Sequence, residues 1–216
     1  MGQAGRQPLR ERNKQRNFQR IINAAFELFQ TVGYHQTTMD ALAEKAEVSR
    51  ATLFNYFPTK QALLMPLAHQ LYRERVQPEV LAYLETQPTT LQALHHLFLS
   101  IHQHILTFPV LYRALQGEFF HHEPEDTQDA GTGFLETLLA TLQYGESRGE
   151  VRTAIPREKI ARYIGAIYVS LLFHPLEQQT EQVLLTHYHA EIETLLAFLR
   201  PVLSSGPVAG IEHKDH

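Results

Sequence analysis

Proline and glycine cut this 216-residue chain into segments whose apolar residues recur every three to four positions, and no stretch of useful length alternates as a strand would. Only helices satisfy that pattern, so the fold class is all-α. Breaks fall at Gly33, Pro58, Pro88, Pro109, the polar stretch 123–132, Gly149 with Pro156, and Pro175, with Pro66 and Pro78 as kinks or further breaks. Long helices are expected over residues 17–31, 61–84, 91–107, 110–121, 133–146, 157–173 and 181–203.

Between residues 37 and 60 the spacing predicts two short helices and a tight turn. Thr37 or Thr38 suits a helix N-terminus, and Asp40 in the first turn favours the positive end of the helix dipole. Met39, Leu42, Ala43 and Ala46 then fall on one stripe, with Asp40, Glu44 and Lys45 outside. Ser49 is a second N-cap, and residues 50–57 run without Gly or Pro until Pro58. Leu53 and Phe57 point inward, whereas Ala51, Thr52 and Asn55 point outward. That outer face suits a DNA major groove. Ala51 adds no bulk, Thr52 offers a hydroxyl or a methyl, Asn55 matches adenine bidentately, and Arg50 reaches guanine or a phosphate. Thr59 caps the next helix, and Lys60 adds charge where backbone amides suit a phosphate.

Charge is divided in the same way. The whole chain carries −4, yet residues 1–60 hold nine Lys/Arg against five Asp/Glu and the remainder ten against eighteen. The basic part coincides with the helix-turn-helix, and the acidic part has another task. The expected domains are a mobile basic arm at 1–15, a helix-turn-helix domain at 16–62, a helical domain at 63–203 and a disordered tail at 204–216. Cysteine is absent, which excludes disulfides and thiolate chemistry. The first residues lack the apolar core of a signal peptide, and no apolar run spans a bilayer. A cytoplasmic location and no membrane partner are expected.

The helix over 17–31, Thr38, the block AEVSRATLFNYF and Lys60 together resemble the DNA-binding domain of the TetR family of transcriptional regulators, closely over residues 16–65. The resemblance implies a repressor bound to double-stranded DNA through Arg50, Ala51, Thr52 and Asn55, with phosphate contacts from Thr38, Tyr56 and Lys60; Ser49, the cap of the same helix, is counted with the DNA-binding set. Two positions depart from the family pattern. Phe54 stands where Tyr is usual and lacks its hydroxyl. Glu47 stands for the Gly of an Ala-Gly-Val turn, at a cost of about 1 kcal/mol if that residue is left-handed.

The last two helices carry apolar faces that could pack on the chain's own core or on a second copy. The resemblance favours the second copy, because the family pairs through its last two long helices, and it points to Ile164, Ile167, Leu171, Tyr188, Ile192 and Leu195. Two-fold symmetry would then imply a palindromic operator. The resemblance also implies a cavity for a small lipophilic or aromatic effector, with Phe98, His102, Phe119, Phe134 and Tyr168 as candidate lining. No cofactor is expected. Control by a protein partner or a metal is the alternative, and Glu118, His121 and His122 have the spacing of helical metal ligands without amounting to a predicted site. Gly145-Glu146-Ser147-Arg148-Gly149 spells a nucleophile elbow, but a helix rather than a strand leads into it, so no enzyme is expected.

Overall fold

A computed structural model of the chain describes residues 9–108, 111–112, 114–115, 132–172 and 181–204. Their regular structure is entirely helical: α1 (Leu9–Thr31), α2 (Met39–Lys45), α3 (Arg50–Tyr56), a 3₁₀ turn (Gln61–Leu63), α4 (Leu64–Leu71), a π turn (Tyr72–Val76), α5 (Gln77–Glu85), α6 (Thr90–Leu106), α7 (Thr132–Ser147), α8 (Arg157–Leu172) and α9 (Glu181–Ser204). The chain divides into two compact units, residues 1–70 with 108–121 and residues 71–107 with 122–216. Phe119, and Glu118, His121 and His122 with their metal-ligand spacing, lie outside the described residues.

The first unit is built on α1. This helix begins at Leu9, inside the segment expected to be an arm. Residues 9–16 have no apolar stripe, but they are Arg, Glu, Lys, Gln, Asn and Leu, with neither Gly nor Pro to stop the helix extending toward its N-terminus. Ile21, Ile22, Ala25 and Phe29 are buried on one side of α1, together with Leu42, Ala43, Leu53 and Phe57. Of the two threonines before α2, Thr38 is the cap, accepting from the Ala41 amide at 3.1 Å. Thr37 is buried and its hydroxyl donates to the Gly33 carbonyl at 2.7 Å. The unit continues through α4 to Gln70, further than the sequence boundary at 62. Leu64 and Leu67 are buried, and Gln70 donates to Asn23 of α1 at 2.9 Å.

The turn between α2 and α3 closes by a Schellman pattern. The amide of Val48 bonds the Ala43 carbonyl at 3.0 Å and that of Glu47 bonds Glu44 at 3.0 Å. That geometry puts Glu47 at φ 50, the left-handed region where glycine is usual. Arg20 of α1 offsets the strain by donating to both the carbonyl and the carboxylate of Glu47.

In the second unit α6 is central, packed by α5, α7 and α9, while α8 lies against α7 and α9. A reciprocal capping box of Thr89 and Gln92 starts α6. The Glu150 carboxylate accepts from the amide and hydroxyl of Thr90 at 2.6 and 2.8 Å. Gly145 lies at the same junction, where a Cβ would meet Thr90 Oγ1 at 2.2 Å and Val151 Cγ2 at 2.6 Å. The serine of the elbow-like string is a helix-end residue, its hydroxyl bonded to the Tyr144 carbonyl at 2.7 Å. Pro78, in the first turn of α5, has no N–H for the usual i−4 bond, and the ladder widens to the π turn just before it.

Four of the six residues expected at a dimer surface face inward. Ile164, Tyr188, Ile192 and Leu195 are at most 4 % exposed within a single chain. They fill the core of the unit within a single chain. Leu171 is half-buried, and only Ile167 of the set is exposed, at 38 %. The sequence periodicity identified an apolar face on each helix, and that face packs inward.

Candidate functional site

Helix α3 has seven residues, and its placement depends on its ends and its inner face. Ser49 caps it, accepting from the Thr52 amide at 3.0 Å, with its hydroxyl 2.7 Å from that of Thr52. Leu53 is fully buried and Phe57 nearly so, with the Phe57 ring 5.5 Å from Phe18 of α1. The opposite side is open: Arg50, Ala51, Phe54 and Asn55 are exposed and Thr52 is half-buried. The structure therefore presents together the four side chains expected to read bases. It adds Phe54, whose ring is 37 % exposed.

The expected phosphate contacts divide differently. Thr38 is exposed and caps α2. The Tyr56 hydroxyl donates to the Lys14 carbonyl of α1 at 3.1 Å, so its proton is engaged and only its lone pairs stay open. Lys60 turns inward. Its ammonium donates to the carbonyls of Tyr34, His35 and Thr37 at 2.6, 3.1 and 2.9 Å and lies 4.6 Å from the Tyr34 ring centre. An ammonium has three N–H groups, and three carbonyls take them, which leaves none for a phosphate. Desolvation lowers its pKa from the usual lysine value. Lys60 is thus the tie between the α1–α2 loop and the start of the following 3₁₀ turn, a correction to its expected role. Spacing reports where Lys60 falls relative to a helix start, but not which carbonyls the α1–α2 loop brings beneath it.

A capped recognition helix on a three-helix support, with an exposed polar face and a tight left-handed turn, is the geometry of a DNA reader. Residues 21–65 match the sequence pattern of the family described as bacterial regulatory proteins, tetR family. Residues 21–65 thus carry the DNA-binding pattern of the TetR family. RutR of Escherichia coli K12, an HTH-type transcriptional regulator, is 39 % identical over 51 residues, which are 24 % of each protein. TcmR of Streptomyces glaucescens, another such regulator, is 33 % identical over 97 residues, 43 % of this chain and 40 % of that protein. These alignments span between a quarter and two fifths of the relatives' own length. Among solved structures, the TetR-family repressor FadR of Thermus thermophilus, in complex with lauroyl-CoA, superposes with a TM-score of 0.68 at 24 % identity, covering 89 % of this chain and 98 % of that one. FadR of Bacillus subtilis, in complex with stearoyl-CoA, gives 0.57 at 19 % identity, covering 87 % and 99 %. At these identities the likeness is one of fold.

Outside the matched region, the second unit encloses an aromatic cluster about one histidine. The Phe98 and Tyr168 rings stack with centres 4.4 Å apart, Phe134 stands 5.5 Å from Tyr168, and Tyr188 lies 4.0 Å from the His102 ring. Four of the five expected lining residues, Phe98, His102, Phe134 and Tyr168, thus meet, while Phe119 is outside the described residues. His102 is 1 % exposed. Its Nδ1 lies 2.8 Å from the Phe98 carbonyl and 2.9 Å from the Tyr168 hydroxyl, which itself donates to that carbonyl at 3.1 Å. A carbonyl only accepts, so Nδ1 carries the proton and Nε2 is a bare acceptor with no partner among the described residues. Burial, opposed by the hydrogen bond to Phe98 and aided by the nearby His189, pushes its pKa down to about 4. Among the described residues no three His, Asp or Glu side chains are placed to hold a metal.

Two predictions follow from these arrangements. Lys60→Met should lower the stability of the DNA-binding unit by about 2 kcal/mol, because three carbonyls lose a charged donor. Thermal melting measures this, and an unchanged melting temperature with weaker binding to every DNA sequence would return Lys60 to the phosphate-contacting set. His102, neutral when folded and with an ordinary value of 6.5 when unfolded, stabilises fully above pH 6.5. That contribution, on the order of 3 kcal/mol, is lost as pH falls from 6.5 toward 4, where the unfolded chain takes up the proton. Urea unfolding of wild type and His102→Gln across that window should give a steeper acid loss for wild type, and equal slopes would refute the assignment.

Proposed function

We propose that the chain is a homodimeric, ligand-responsive transcriptional repressor that binds a palindromic operator and leaves it when a lipophilic effector enters the second unit. The observation that carries the reading is the exposed face of α3, Arg50, Ala51, Thr52 and Asn55, held on a buried support within a region that matches the family pattern. The aromatic cluster around His102 supports an apolar effector. The acyl-CoA complexes of the two FadR proteins favour long-chain acyl thioesters as the first class to test. Absence of a helix long and apolar enough to cross a membrane, among the described residues, is consistent with action on cytoplasmic DNA.

The dimer surface we propose is the outer face of the last two helices. On α8, Tyr163, Ala166, Ile167 and Ser170 are exposed at i, i+3, i+4 and i+7. On α9, Ala190, Thr194, Ala197, Phe198 and Pro201 are exposed along a similar stripe. Tyr163, Ile167 and Phe198 are 61, 38 and 58 % exposed, which is unusual for large apolar side chains on a solvated helix. The small residues beside them let a partner helix come close. Ile167 is common to these stripes and the expected set, whereas Ile164, Tyr188, Ile192 and Leu195 are buried.

Selection of bound sequences from random duplex DNA at physiological salt tests the operator. A palindrome is expected, and Asn55→Ala should cost about 1–3 kcal/mol and relax the preference at one position per half-site. Lauroyl-CoA, free laurate and CoA alone, titrated against the labelled operator, test the effector; release by the acyl thioester alone is expected, and no release by any of them would remove this effector class. Ile167→Glu and Phe198→Glu should each shift the protein to monomer in sedimentation while leaving its helical content intact, since both side chains are exposed.

A further inference from the structure

Arg50 opens α3, and two side chains hold its guanidinium. Nη1 lies 3.1 and 3.3 Å from the two carboxylate oxygens of Asp40 on α2. Its central carbon lies 5.5 Å from the centre of the Phe54 ring, one turn further along α3. Both partners of the ion pair are solvated, with side-chain exposures of 67 and 65 %. An exposed pair of this kind adds little to stability, so its main consequence is where the guanidinium sits.

That position matters on DNA. A long cation at the front of a recognition helix otherwise finds the nearest phosphate, a contact that carries no sequence information. Here a carboxylate stands beside it and opposes an approaching phosphate. Asp40 engages one nitrogen only, which leaves the Nη2 and Nε donors of the planar fork open for two parallel hydrogen bonds. The pairing that such a fork makes in a major groove is with O6 and N7 of guanine. Phe54 supplies the flat surface behind the fork, where a tyrosine hydroxyl would instead add a polar contact.

Resting on the operator reading above, we propose that Asp40 and Phe54 are specificity-determining positioning residues, which hold Arg50 off the phosphates and direct its free edge to guanine. Neither is a base contact on its own. Their effect is exerted through Arg50.

The test is sequence selection with the full-length wild type, Asp40→Asn, Phe54→Leu and Arg50→Lys, followed by affinities as a function of salt for the selected duplex. Wild type should enrich guanine at one position of each half-site and lose about tenfold in affinity when that base is replaced by 7-deazaguanine, which lacks the N7 acceptor. Asp40→Asn and Phe54→Leu should lose the guanine preference while keeping the rest of the pattern. Arg50→Lys, which keeps the charge without the fork, should lose it as well. Asp40→Asn should also show a steeper dependence of affinity on salt, by about one counterion per half-site, because the released guanidinium turns to phosphate. An unchanged guanine preference in Asp40→Asn and Phe54→Leu, with the wild-type pattern intact, would overturn the positioning role and leave the operator reading standing. Failure of wild type to select any sequence would overturn both.

Discussion

A helix of seven residues has no stability of its own in water, and the DNA-binding unit is organised around that constraint. Helix α3 is held from three directions. Leu53 and Phe57 anchor its inner face, Ser49 satisfies an amide at its start, and the turn before it is clamped to α1 through Arg20 and Glu47. Lys60 then ties the α1–α2 loop to the chain that follows α3. Charged side chains such as Arg20 and Lys60 thus fix the helix in place, and its outer face leaves Arg50, Ala51 and Asn55 exposed.

Glu47 illustrates the trade. A glycine would take the left-handed turn without strain, but it would have no carboxylate for Arg20. The substitution costs conformational energy and returns a link between the turn and α1. Ion pairs between exposed groups contribute little singly, so the link acts chiefly through geometry. The same reasoning applies to Asp40 and Arg50, where the orientation of a fork matters more than the energy of the pair.

The second unit has a different central element. A neutral histidine sits in an aromatic cluster with one nitrogen bonded and the other bare. Leaving a buried acceptor without a donor is unfavourable, and cores composed only for stability avoid it. Its position among Phe98, Phe134, Tyr168 and Tyr188 makes His102 the polar centre of an aromatic cluster.

Periodicity and punctuation were sufficient for the helices: α6 to α9 begin and end within two residues of where proline, glycine and apolar spacing put them. The recognition face was legible for the same reason, because a short helix with two inward residues leaves its other positions outward. Partners across the chain were not legible. Lys60 binds carbonyls some 23 to 26 residues away, and nothing in its neighbours in sequence marks them. The expected dimer residues divide for a similar reason, four buried within the single chain and Ile167 exposed, since an apolar stripe reports burial but not whether the same chain or a second one covers it. Local sequence determined the all-α class, the caps and the outward face of α3. Only tertiary packing decided which charges serve as ties, which apolar faces remain exposed and where the buried histidine lies, because those depend on contacts between residues distant along the chain.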